Sequence, residues 1–106
     1  MSKTIVLATD HAGFELKEHV KKFLLEKGFE IKDFGALEYD ALDDYPDFII
    51  PASKFVSENK LIGIIFGGSG QGEAIAANRI KGIRAVVFYN GPDDIIELSR
   101  KHNNAN

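Results

Sequence analysis

The run Gly67-Gly68-Ser69-Gly70-Gln71-Gly72-Glu73 carries the densest chemical information in the chain. Consecutive backbone N–H groups in a glycine-rich turn that opens a helix form a concavity for an anion, and the missing side chains let the ligand approach closely. A phosphate or a developing oxyanion fits such a turn. The spacing also excludes two familiar uses. Gly68, Gly70 and Gly72 are two residues apart, whereas a dinucleotide fingerprint places its third glycine three residues after the second. Gly67 and Gly72 match the glycines of a triphosphate-binding loop, but the residue that should be lysine is Glu73. A carboxylate beside backbone donors that can hold an oxyanion is what proton abstraction next to a carbonyl requires. Glu73 is therefore the candidate general base. A glutamate in the first turn of a helix is, in the ordinary case, a solvated residue favoured by the macrodipole, so this assignment competes with a plainer one.

Two further groups could do acid–base or anion-binding work. Asp10-His11 follows an apolar run, and His102-Asn103 lies near the end of the chain. The plain alternatives are that Asp10 caps the first helix and that His102 is a cationic helix end with a polar cap. His19, flanked by charged residues, reads as surface. The three histidines share no metal-ligand spacing. With no cysteine, thiolate catalysis and disulfides are excluded, which leaves carboxylate, imidazole or hydroxyl as catalyst.

The elements that must position these groups alternate along the chain. Residues 4–9 form a nearly continuous apolar, β-branched run suited to a buried parallel strand. Leu16, Val20, Phe23 and Leu24 recur at helical spacing, with Glu15 and Glu18 early, Lys21, Lys22 and Lys27 late and Gly28 as a stop. Residues 29–34 read as a second strand and the acidic stretch 38–44 as a loop. A helix is predicted over about 46–58, opened by Pro46 and kinked or delayed by Pro51. A third strand is predicted at 61–66, a helix at 73–79 after the glycine turn, a fourth strand at 83–89 and a last helix at 93–101. Strand–helix alternation throughout predicts one α/β domain over residues 1–106, with right-handed crossovers and a parallel sheet covered on both faces. In such sheets ligands bind beyond the carboxyl ends of the strands, where Asp10, His11 and the glycine turn fall.

Composition removes other classes. With 13 Lys and Arg against 16 Asp and Glu the net charge is −3, so no basic field exists to draw nucleic acid or anionic lipid. The apolar run near the start is broken by Asp10, too short for a signal peptide core or a membrane span, which predicts a cytoplasmic protein.

Four stretches taken together, Asp10-His11-Ala12-Gly13, Asp44-Tyr45-Pro46-Asp47, Gly67 through Glu73 running into Ile75-Ala76-Ala77-Asn78, and His102-Asn103-Asn104-Ala105, resemble the type B ribose-5-phosphate isomerase family over essentially the whole chain. That family divides between a branch with a catalytic cysteine at the start of the glycine loop and a branch with a glutamate after it. Gly67 at the cysteine position and Glu73 at the glutamate position resemble the second branch. The resemblance implies a Rossmann-like three-layer sandwich and a cofactor-free, metal-free aldose–ketose isomerase of the pentose phosphate pathway. By it, Glu73 shuttles a proton between C1 and C2 through a cis-enediolate. The backbone from Gly68 through Gly70 and Gln71 to Gly72, with the Ser69 hydroxyl, stabilises the oxyanion. His102 with Asp10 opens the furanose ring, His11 helps hold the phosphate, and Asn103 binds sugar hydroxyls. A site shared between subunits, hence at least a homodimer, is also implied.

After the Asn103-Asn104-Ala105 stretch, similar proteins continue into a fifth strand, further helices and the arginines that grip the phosphate. Arg79, Arg84 and Arg100 precede that stretch and do not correspond to them. The expectation is therefore a C-terminally truncated domain with four strands and weakened phosphate affinity. Allose 6-phosphate or galactose 6-phosphate are alternative substrates on the same chemistry, and a non-catalytic phosphosugar-binding subunit is the alternative from another class.

Overall fold

A computed structural model of the chain describes residues 3–106. β1 (Thr4–Thr9) lies at the centre of a parallel sheet, with β2 (Glu30–Asp33) on one side and β3 (Ile62–Phe66) on the other. Ile5 pairs with both Ile31 and Ile62, and at the carboxyl end Leu7 stands beside Asp33 and Thr9 beside Phe66. Side chains alternate between the faces of a strand. Val6 and Ala8 pack against Ile49, Ala52 and Val56 of α2 (Pro46–Asn59) and Ala77 of α3 (Gln71–Asn78). The other face is covered by α1 (Phe14–Glu26), which follows a short 3-10 turn at His11–Gly13. Val6, Leu7 and Ile49 are completely buried, each contributing about 1.5–3 kcal/mol relative to an exposed side chain. α4 (Asp94–Asn103) follows the last loop. Among the described residues no helix is long and apolar enough to cross a membrane.

The sheet therefore has three strands among the described residues, not the four expected from the sequence. Residues 83–89 have strand composition but form no ladder. Their polar backbone is satisfied elsewhere: Ala85 exchanges hydrogen bonds with the Asn78 side chain at 2.8 and 2.9 Å, and Arg84 pairs with Asn106. Asn106 also accepts from the Gly63 N–H of β3 at 2.8 Å, so one residue bridges β3 and this segment. Between the two runs an apolar cleft of about 500 Å³, lined by Ile62, Ile64, Val86, Phe88 and Ile96 among others.

Two further differences concern helices. α2 runs unbroken through Pro51, whose missing N–H forgoes only a bond to the Asp47 carbonyl in the first turn. On α1 the expected apolar face is only partly inward, since Leu16 and Phe23 are exposed while Lys17 is completely buried.

Candidate active site

The carboxyl ends of β1 and β3 are tied together by Thr9, whose buried Oγ1 lies 3.0 Å from the Phe66 carbonyl. Beyond β1, Asp10 caps the 3-10 turn by accepting from the Ala12 N–H at 2.9 Å, so the capping role that competed with a chemical one is present. Beyond β3, the glycine turn leads into α3, with Gly70 as its N-cap and the Gln71 N–H on Ser69 Oγ at 3.3 Å. Gly67, Gly68, Ser69 and Gly70 line one side of an open cavity of about 280 Å³, whose other side is lined by residues 86–89.

Glu73 sits in the first turn of α3, yet it is only 6% exposed. The solvated reading of this glutamate is thus overturned. Its carboxylate is folded back against the Cα of Gly67, where any Cβ would lie 2.1 Å from Glu73 Cδ. Glycine at 67 is what makes room for the acid. Burial pushes the Glu73 carboxyl above its usual range; a hydrogen bond from its own backbone N–H works the other way, and the negative charge of Asp10 adds to the rise. At the preceding residue, the ring of Tyr45 closes on Gly72, whose Cβ would stand 2.9 Å from the ring. Gly72 therefore lets the start of α2 pack onto the start of α3, which brings the Asp44-Tyr45-Pro46-Asp47 stretch to the glycine turn.

His11 is held by a residue that the sequence reading passed over. Asp43 Oδ1 accepts from the His11 backbone N–H at 2.9 Å and pairs with its ring Nδ1 at 2.8 Å, and the Tyr39 ring meets the imidazole edge-on at 6.1 Å between centroids. Both partners come from the acidic stretch 38–44, read from sequence only as a loop. The available signal was that stretch's position directly before Asp44-Tyr45-Pro46-Asp47. The side-chain oxygens of Asp10 and Asp43 and a ring nitrogen of His11 lie within 4.8 Å of one another. Because Asp43 Oδ1 already serves the His11 Nδ1–H, the grouping is a hydrogen-bonded pair beside a capping carboxylate.

The structure brings together Asp10, His11, Gly68, Ser69, Gly70, Gln71, Gly72 and Glu73 at the carboxyl edge of the sheet. It does not bring His102 and Asn103 to them. Both are exposed at the end of α4, and the Asn103 carbonyl accepts from Arg84 Nε. Among the described residues neither makes a hydrogen bond to the glycine turn or to Glu73.

The chain was compared with known proteins. The family model described as Ribose/Galactose Isomerase matches residues 5–106. Ribose-5-phosphate isomerase B of Mycobacterium tuberculosis (strain H37Rv) is 45% identical over 102 residues, covering 95% of this chain and 62% of the relative. Its namesake from Mycolicibacterium paratuberculosis is 44% identical, over 95% of this chain and 63% of the relative. The chain thus spans about 62–63% of the length of these curated relatives. Among solved structures, ribose-5-phosphate isomerase B from Mycoplasma genitalium with bound ribulose-5-phosphate superimposes with a TM-score of 0.91 at 37% identity, covering 97% of this chain and 68% of that one. The Clostridium thermocellum enzyme gives a TM-score of 0.90 at 38% identity, again over 97% and 68%. A family model that matches all but the first four residues, together with these identities and superpositions, places the chain in the ribose/galactose isomerase family.

Proposed function

We propose that this chain is a sugar-phosphate isomerase domain interconverting ribose 5-phosphate and ribulose 5-phosphate, with Glu73 as the base. The observation that carries the reading is the buried Glu73 carboxylate lodged against Gly67 at the mouth of a turn of backbone donors. Base and oxyanion donors sit side by side, which is the arrangement that proton abstraction next to a carbonyl needs. From the open-chain aldose, Glu73 takes the C2 proton and returns it to C1 of the cis-enediolate, while a proton passes from O2 to O1. The N–H groups from Gly68 to Gly72 and the Ser69 hydroxyl stabilise the enediolate oxygens. A carboxyl held above its usual range is a stronger base than a solvated one, which suits the step.

In the same reading Asp10 and His102 open the furanose ring, His11 holds the phosphate and Asn103 binds sugar hydroxyls. The exposure of His102 and Asn103, away from Glu73 in one chain, supports a homodimer in which each subunit's α4 end completes the other's site. The reaction needs no metal or coenzyme, and the setting is the pentose phosphate pathway in the cytoplasm. The test is turnover of ribose 5-phosphate, ribulose 5-phosphate, allose 6-phosphate and galactose 6-phosphate by the purified chain and by Glu73→Gln. Turnover of the pentose phosphates, lost in the glutamine variant, is the expected result. A preference for either hexose phosphate would reassign the substrate, and phosphate binding without any turnover would make the domain a binding subunit.

A further inference from the structure

We propose that Asp43 is a positioning residue, clamping the backbone and the ring of His11 so that the imidazole turns Nδ1–H inward and offers Nε2 as the donor to the phosphate end of the sugar. The ligand in this inference rests on the function proposed above; the Asp43–His11 geometry does not.

One carboxylate oxygen, Asp43 Oδ1, accepts both the His11 backbone N–H and ring Nδ1, at 2.9 and 2.8 Å. Two bonds to one residue fix the ring's rotation as well as its place. Since a carboxylate only accepts, Nδ1 must carry the proton, and the opposite nitrogen is left for a ligand. The Asp43 side chain is 10% exposed and its Oδ2 has no hydrogen-bond partner among the described residues. A buried carboxylate with one oxygen unserved favours a positive charge beside it. The groups facing the ring are Asp43, Asp10 and the Tyr39 edge. The hydrogen bond to Asp43 is the largest influence and raises the His11 pKa, burial lowers it, and the charges of Asp10 and Asp43 raise it further, with a net rise. The imidazolium thus persists to higher pH than in an unpaired histidine, and a cationic Nε2–H is a charge-assisted donor to a phosphate oxygen. The neighbourhood suits that task, because Ala12, one residue on, approaches Gly68 of the anion-binding turn.

The experiment is nitrogen-15 NMR of the histidine rings across pH in the 106-residue chain, combined with inorganic phosphate titrations. In the wild type, neutral His11 should be the Nδ1–H tautomer. Asp43→Asn keeps an acceptor and removes the charge, so it should keep that tautomer and lower the titration midpoint. Asp43→Ala should lose both and weaken phosphate binding by roughly tenfold, as expected for a lost hydrogen bond to a charged group. That loss should vanish in a His11→Ala background, where a merely structural role for Asp43 would leave it. For sugar phosphate the change should fall on KM more than on kcat. An Nε2–H tautomer in the wild type overturns the inference, and that measurement needs no variant to fold. So does an unchanged midpoint in Asp43→Ala, or an equal phosphate penalty with and without His11. None of these readouts needs turnover, so a chain that binds phosphate in this way without isomerising it defeats the proposed function and leaves the role of Asp43 standing.

Discussion

At position 67 the space a side chain would fill is occupied by the carboxylate of Glu73, and a Cβ there, 2.1 Å from Cδ, would force that flexible side chain to swing out of its seat. A side chain at 67 and a glutamate folded back from 73 exclude each other. This gives a steric basis for the two alternative bases that the sequence resemblance suggests. We predict that Gly67→Ala displaces the base and lowers kcat at least about tenfold, a barrier increase of about 1.4 kcal/mol, with the far-ultraviolet spectrum unchanged. Full activity in Gly67→Ala would mean that the observed seat of Glu73 is not the working one. The raised pKa of Glu73 also fixes a sign for stability. The folded state prefers the protonated acid, so its contribution is complete below the unfolded value of about 4.5 and is lost as pH rises through the higher folded value. Glu73→Gln should therefore be more stable than the wild type at pH 7, with the advantage closing below about pH 4.5 in denaturant titrations. A glutamine variant less stable at neutral pH would contradict the burial account. Glu73 was legible in sequence because a glycine turn and a helix start are local patterns. Asp43 was not, since its partner lies 32 residues away and the contact depends on how an acidic loop folds back.

The helix α1 shows what a periodic pattern can and cannot convey. Its span follows from the repeat of Leu16, Val20, Phe23 and Leu24, but only Val20 and Leu24 of that repeat turn partly inward, and the side chain that is completely buried is Lys17. Its ammonium meets both oxygens of Asp33 at 2.8 and 2.7 Å, at the end of β2, and Lys21 joins at 3.0 Å. Nothing in the local sequence marks a lysine as buried when its counter-ion arrives from another element. Burial by itself pushes the Asp33 carboxyl up, but the hydrogen bonds from Lys17, the Gly35 N–H and Lys21 outweigh it and leave the net value below the ordinary 3.8. The stabilisation is thus in place above pH 3.8 and is lost as pH falls through the lower folded value, contributing to acid unfolding. Removing Asp33 leaves the buried Lys17 ammonium with only the part-exposed carboxylate of Glu18, at 2.8 Å, as its counter-ion. Asp33→Ala should cost about 3–5 kcal/mol in denaturant unfolding, whereas replacing both Lys17 and Asp33 with apolar residues of similar volume should recover most of it. If the double variant is no better than the single one, the pair is not the unit that matters. Residues 83–89 teach the same lesson for strands: apolar, β-branched composition was readable, but a strand exists only where a ladder partner stands beside it.

Over the whole molecule, the alternation of strands and helices made the parallel α/β architecture legible, because each element's period is written locally and the crossover rule is general. Which strand edges find partners is a long-range matter, and there the expectation of a fourth strand failed. β3 pairs with β1 along one edge, while its other edge faces the apolar cleft and is bridged to the facing run through Asn106. Ile64 on one wall and Val86 and Phe88 on the other remain 37%, 51% and 45% exposed, and Ile96 of α4 adds another 51%. An unpaired edge beside an apolar wall presents free backbone groups and oily surface together, the combination that recruits strands and hydrophobic molecules. We predict that the native 106-residue chain enhances the fluorescence of an anionic naphthalene dye at pH 7 and associates as its concentration rises into the tens of micromolar. Val86→Lys should suppress both without altering the far-ultraviolet spectrum, since half of that side chain already faces solvent and a lysine ammonium can reach water past an apolar stem. Leu42→Lys, at the 93% exposed tip of the acidic loop, should leave dye binding unchanged and so localises the effect. Native protein that binds no dye, or dye binding that Leu42→Lys suppresses as well as Val86→Lys does, would show that the cleft beside β3 is not the exposed apolar surface of this molecule.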